Sequence, residues 1–128
     1  FQLHRQSVSS NGQVFEETYI YRKVHLDIFY SFQEGTDYYS IIARKHETKE
    51  WKEANATDGF PCDRSYVPAC DFEKREFLGL QVYMPTNTDG WLRAIYSDSY
   101  MTPIKNWNAK DYVTRIVHSN ERSYRRFF

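Results

Sequence analysis

His25 and Asp27 stand two residues apart in an alternating stretch, so an extended chain carries both side chains on one face. An imidazole beside a carboxylate suits proton transfer. His25 with Asp27, or with a loop carboxylate, is the pattern pointing to a small secreted nuclease or other hydrolase. A solvated strand face has the same pattern and is the preferred reading. His4, His46 and His118 have no motif around them. No serine sits in a G-x-S-x-G elbow, and no glycine-rich phosphate loop is present. Nothing in the sequence brings Glu16-Glu17 together with the loop aspartates as a working pair. Asp58, Asp63 and Asp71 share one loop region but lack the D-x-D-x-D-G spacing of a calcium loop, and they read as ordinary loop acids. No metal, cofactor or catalytic role is expected.

Cys62 and Cys70 lie close together in a Pro-containing segment. In an oxidising compartment they are candidates for a local disulfide; in a reducing one they are plain loop residues. Their spacing is not C-x-x-C, and no histidine lies at zinc-ligand distance in sequence. Asn55-Ala-Thr57 is a formal glycosylation triplet. With Phe1 in place of an initiator Met, these features lead to the expectation of a secreted mature form, or a domain of a larger chain.

The aromatic content bears on binding. The chain holds Tyr 11, Phe 9 and Trp 3 in 128 residues. Tyr and Trp combine a flat apolar face with a polar edge, which suits both a β-rich core and a stacking platform. Lys+Arg and Asp+Glu are 17 each, so net charge is zero. That balance argues against a nucleic-acid or anionic-membrane binder. The tail with Arg122, Arg125, Arg126, Tyr124, Phe127 and Phe128 is locally basic, and reads as an edge segment that packs its aromatics. No apolar run is long enough for a membrane span.

Elements must position these residues, and the pattern has period two. Residues 2–8 read as a first strand, with Asn11-Gly12 as a turn. Residues 14–32 alternate, with Val24, Leu26, Ile28 and Tyr30 on one face and His25, Asp27 and Phe29 on the other; Tyr21-Arg22-Lys23 marks a bend. Residues 33–37 read as a hairpin loop and 38–43 as the returning strand. Residues 46–53 read as a helical turn or solvated loop, and 55–70, with Gly59, Pro61 and Pro68, as irregular. Strands are expected at 76–84, 91–96 and 112–118, with a turn at 85–90, a polar loop at 103–110 and an eighth strand or short helix at 121–128. No amphipathic helix is expected. Seven or eight short strands predict a single all-β domain over residues 1–128, an antiparallel β-sandwich. Phe15, Tyr30, Phe77 and Tyr96 are assigned to its core. The loop rings Tyr38, Tyr39, Trp51 and Trp107 are candidates for a platform.

Three segments resemble family 21 carbohydrate-binding modules. Tyr21-Arg-Lys-Val-His-Leu-Asp-Ile-Phe-Tyr30 is similar to the family's strand of an aromatic, a basic pair and a Val-led alternation. It leads to Tyr38 and Tyr39, where the family usually has Trp. Arg75-Glu-Phe-Leu-Gly-Leu-Gln-Val-Tyr-Met-Pro85 resembles its alternating strand ending in Pro. Trp91-Leu-Arg-Ala-Ile-Tyr96 followed by Ile104-Lys-Asn-Trp-Asn-Ala-Lys-Asp-Tyr112 resembles its closing hairpin. There Asn106 and Tyr112 match, Ala109 and Asp111 replace Gly and Asn, and Ile104 and Lys105 stand where the family has an aromatic and Asp.

The resemblance implies an immunoglobulin-like sandwich that binds starch or glycogen without hydrolysing it. Tyr21, Tyr38, Tyr39, Trp107 and Tyr112 would stack on sugar C–H faces, while Asn106, Asn108 and Asp111 would meet hydroxyls. The expected function is therefore a non-catalytic α-glucan-binding domain. The alternative is a secreted protein-interaction domain, such as a pathogen effector or toxin-like sandwich. The expected partner is a polysaccharide or a protein.

Overall fold

The computed structural model describes residues 1–44, 59–106 and 115–128. Among the described residues the strands are β1 (Gln2–Ser9), β2 (Val14–Tyr21), β3 (Val24–Phe29), β4 (Ser31–Glu34), β5 (Asp37–Ala43), β6 (Phe60–Pro68), β7 (Phe72–Phe77), β8 (Leu80–Pro85) and β9 (Ile116–Phe127), and a helix, α1 (Thr88–Tyr96), precedes β9. The fold is all-β, antiparallel and sandwich-like, as the alternation predicts. Seven strands form one sheet in the order β3-β2-β1-β9-β6-β5-β4, and β7 pairs with β8 in a second. Contacts gather into two compact units. The first holds Phe1–Phe32, Ser40–Arg64 and Val117–Phe128; the second holds Gln33–Tyr39 and Ser65–Ile116.

In the first unit, Asn11-Gly12 makes the expected turn. Gly12 adopts φ 88, a left-handed conformation that glycine reaches without strain. Its amide donates to Ser9 O at 2.9 Å, and Val8 then faces Val14. The bend after Tyr21 also appears, with Arg22 at φ 55. The interior is part apolar and part polar. Val8, Phe15, Ile41, Phe60 and Cys62 are buried together with Ser7, Ser9, Thr18, Asp63 and Ser123.

Those buried hydroxyls are matched, as burial requires. Ser7 donates to Glu16 at 2.7 Å, Thr18 to Asp27 at 2.6 Å, and Ser123 accepts from the Cys62 thiol at 3.1 Å. Glu16 also takes Arg5 at 2.9 Å. Glu17, next in a strand, points to the opposite face and accepts from Tyr30, Gln6 and Tyr19. The adjacent glutamates therefore do not act together.

The C-terminal segment is a strand, one of the two forms expected at 121–128, but its place in the sheet departs from expectation. It is not an edge but strand β9, between β1 and β6. Val8 faces Tyr124 and Ser9 faces Ser123. Its cations serve the fold: Arg122 donates to Gly59 O at 3.0 Å, Arg125 stacks over Phe60, and Arg126 over Tyr124. The segment read as irregular also contains a strand, β6. Pro61 and Pro68 lie near its ends, where a missing amide is tolerated.

In the second unit, the single strand expected at 76–84 is a hairpin. Leu78 (φ 50) and Gly79 (φ 79) turn the chain, and Phe77 faces Leu80. Two successive positive φ values match the twist of a tight hairpin. Residues 91–96 belong to helix α1, not to a strand. Asn87 caps it, its carbonyl oxygen accepting from Gly90 N at 3.1 Å. A Cβ on Gly90 would lie 2.5 Å from the Asn87 side chain, so glycine makes room for this cap. Asp89 and Arg93 pair one turn apart at 2.7 Å. The signal was an Asn cap before apolar Trp91, Ala94 and Ile95, a 3.6-residue spacing that the aromatic and aliphatic residues of 91–96 obscured.

Core assignments divide. Phe15 is buried as expected, but Tyr30, Phe77 and Tyr96 are 39%, 60% and 42% exposed. Tyr30 uses its hydroxyl on Glu17 at the surface, Phe77 flanks the hairpin turn, and Tyr96 is the last residue of α1.

Candidate functional site

Of the residues expected on a sugar platform, Tyr21 lies in the first unit and Tyr38, Tyr39 and Asn106 in the second. Tyr21 is half-exposed at the end of β2, with Phe1 5.5 Å away and the Arg22 guanidinium 5.3 Å from its ring centroid. Tyr38 belongs to a three-ring cluster. Its centroid lies 6.1 Å from both Phe72 and Trp91, which are 5.8 Å apart and edge-on. Trp91 Nε1 donates to Pro68 O at 2.8 Å, and the Tyr38 hydroxyl to Cys70 O at 3.4 Å. Tyr39 is buried against Tyr66. A buried ring has no open face for a sugar. Asn106 is exposed. Trp107, Asn108, Asp111 and Tyr112, like Trp51 and the triplet at 55–57, lie outside the described residues.

The cysteines are unbridged. Cys62 and Pro68 lie six residue steps apart along extended strand, roughly 20 Å at about 3.3 Å per step. A bridge needs α-carbons within about 7 Å. The segment forms a strand rather than the compact loop that would bring the thiols together. Burial pushes the Cys62 thiol up to about 11 despite its bond to Ser123, so it is no nucleophile at neutral pH.

His25 and Asp27 are not coupled. Asp27 accepts the Thr18 hydroxyl, while His25 is exposed. The histidine–carboxylate contact observed is His118 Nδ1 to Asp63 Oδ2 at 3.1 Å. Asp63 is a buried β6 residue, and Arg44, just after β5, holds its other oxygen by two bonds of 3.0 and 2.6 Å. The Ser119 amide adds a third at 3.4 Å. Burial pushes this carboxyl up, but Arg44, His118 and the Ser119 amide outweigh it and hold it below the ordinary value. Arg44 also donates to Ser119 O at 2.8 Å.

Beside this clamp is a shallow pocket of about 200 Å³, lined by Arg44, Pro61, Ser119, Asn120, Glu121 and Arg122. A carboxylate orienting an imidazole is half of a general-base arrangement. The nearby Ser119 hydroxyl instead donates to Cys62 O at 2.9 Å. No cluster of metal ligands occurs among the described residues. Asp63 therefore reads as a structural tie between β5, β6 and β9. Nothing in the sequence marked it, because its partners lie far away along the chain.

The other prominent surface is apolar. Every residue of β3 and β7 is exposed. In the second unit Phe77, Leu78, Leu80 and Tyr83 are 60%, 85%, 66% and 67% exposed. Their flanks are charged and balanced, with Arg75 paired to Glu73 at 2.6 Å and Lys74 over the Tyr83 ring. Leu78 also occupies a left-handed position where Asn, Asp or Gly is favoured. No family model, curated protein or solved structure matches the chain.

Proposed function

We propose that the chain is a non-catalytic binding domain that engages a protein partner through the β7–β8 hairpin. The observation that carries this reading is Leu78. A leucine at φ 50 costs about 1 kcal/mol over glycine, and this one is exposed at the hairpin tip. Strain at an exposed apolar tip has no folding benefit and is accounted for by binding. Phe77, Leu80 and Tyr83 extend the patch, and the mixed charges of Glu73, Lys74, Arg75 and Glu76 suit the rim of a protein interface better than an anionic bilayer.

The test places a photo-reactive residue at Tyr83 and compares cross-linked proteins from the native setting with and without Leu78→Asn. Asn suits the turn, so the fold is retained. Loss of a specific adduct in the variant supports the reading; the same adducts at the same yield overturn it.

One observation favours α-glucan binding as a second reading: the half-exposed Tyr21 ring beside Phe1 and Arg22. It requires retention on immobilised glycogen that falls at least several-fold in Tyr21→Ala. Equal elution of both proteins from glycogen and from an unrelated matrix removes it.

A further inference from the structure

Strand β3 ends the seven-stranded sheet, and Val24, Leu26, Ile28 and Phe29 are 57%, 45%, 38% and 64% exposed. Natural sheets usually blunt such an edge with charge, proline or a cover. Here the edge has a definite pattern. Tyr30 N donates to Phe15 O at 2.9 Å, in the register that pairs Ile28 with Glu17 and Val24 with Tyr21. Antiparallel ladders alternate, so the even residues of β3 turn their backbone groups to β2. His25, Asp27 and Phe29 turn theirs to the edge that no described strand covers.

We propose that β3 pairs antiparallel with β3 of a second copy, with Leu26 on the two-fold axis. Edge-facing residues must oppose edge-facing residues, which leaves few registers. With Leu26 on the axis, His25 opposes Asp27 of the partner subunit, and Asp27 opposes its His25. Both pairs join complementary groups and exchange backbone hydrogen bonds. On the other face Leu26 meets its own copy and Val24 meets Ile28, at the close spacing of non-hydrogen-bonded pairs. Centring on Asp27 sets carboxylate against carboxylate. Centring on Ile28 puts Asp27 across from Phe29 and leaves His25 beyond the strand. Centring on His25 puts Ile28 across from Arg22. One register satisfies charge and apolar complementarity together, the self-complementarity an isologous interface requires. It goes beyond the hairpin reading and uses the first unit alone.

Sedimentation velocity of the whole chain, from micromolar to millimolar concentration, tests the association. The expected result is a concentration-dependent dimer that is lost in Leu26→Lys and in His25→Asp and kept in Leu78→Asn, all with unchanged circular dichroism. The register is tested by oxidation in a Cys70→Ser background. Leu26→Cys is expected to form a disulfide-linked dimer at least ten-fold faster than His25→Cys. A wild-type monomer at every concentration, or equal rates for the two cysteine variants, overturns the proposal. A dimer that survives both His25→Asp and Leu26→Lys overturns it equally.

Discussion

The two units solve the same packing problem with different materials. Beneath β1, β2, β6 and β9 the interior mixes Val8, Phe15, Ile41 and Phe60 with hydroxyls and an ion pair bonded to named partners. In the second unit the packing is led by rings, the half-buried Tyr38 and Trp91 with the more exposed Phe72 in one cluster and the buried Tyr39 on Tyr66 in another. A polar interior fixes register, because one slipped residue strands a buried group. An aromatic interior gains its energy from area and edge-to-face geometry and is indifferent to pH. Ion pairs in that unit, such as Asp37–Arg115 and Asp89–Arg93, lie at the surface, where they add little.

Trp91→Ala is expected to break the aromatic side of this comparison most severely. It removes two ring contacts and the bond to Pro68, with a loss of about 4 kcal/mol in urea unfolding. Asp63→Ala is the counterpart on the polar side and should cost about 3 kcal/mol, since Arg44 and His118 lose the carboxylate between them.

Acid sharpens the contrast. Asp63 is held below its ordinary value, so the folded chain keeps its charge where the unfolded chain has gained a proton. Its contribution is complete above about pH 4 and lost as pH falls through the lower folded value. The penalty of Asp63→Ala should therefore shrink in urea titrations run below about pH 4, while that of Trp91→Ala stays constant. Equal shrinkage of both would dissolve the distinction.

Gly59→Ala should cost about 2 kcal/mol, read from the shift in thermal midpoint. Gly59 is at φ +67, and a Cβ there would meet Ser123 O at 3.0 Å. The smallest effect has the opposite sign: Leu78→Asn should raise stability by about 1 kcal/mol in the same measurement, by relieving the hairpin turn.

Strand content was legible because period-two alternation is local. β1, the β2–β3 hairpin and β5 lie where residues 2–8, 14–32 and 38–43 alternate. The turn at Asn11-Gly12 was legible for the same reason. What escaped depended on distant or competing signals. Leu78-Gly79 interrupts an otherwise continuous alternation, and Leu is a poor advertisement for a turn. Gly90 masks helix α1 because glycine usually breaks helices, although here it accommodates the Asn87 cap. The Asp63–Arg44–His118 tie joins residues from three strands or their ends, and no spacing encodes it. Tyr38 and Tyr39 open β5, and alternation alone did not say which of its faces is covered; Tyr39 lies on the buried one.

The place of β9 has a consequence for how the chain matures. A ribosome delivers Val8 long before Tyr124, yet the two are neighbours across a ladder. Until β9 emerges, β1 has a bare side and β6 lacks one neighbour. The sheet is joined by its ninth strand, so its assembly waits for residues 116–127 and the nascent chain exposes two sticky edges meanwhile. Loss of part of β9 would then resemble removing a keystone.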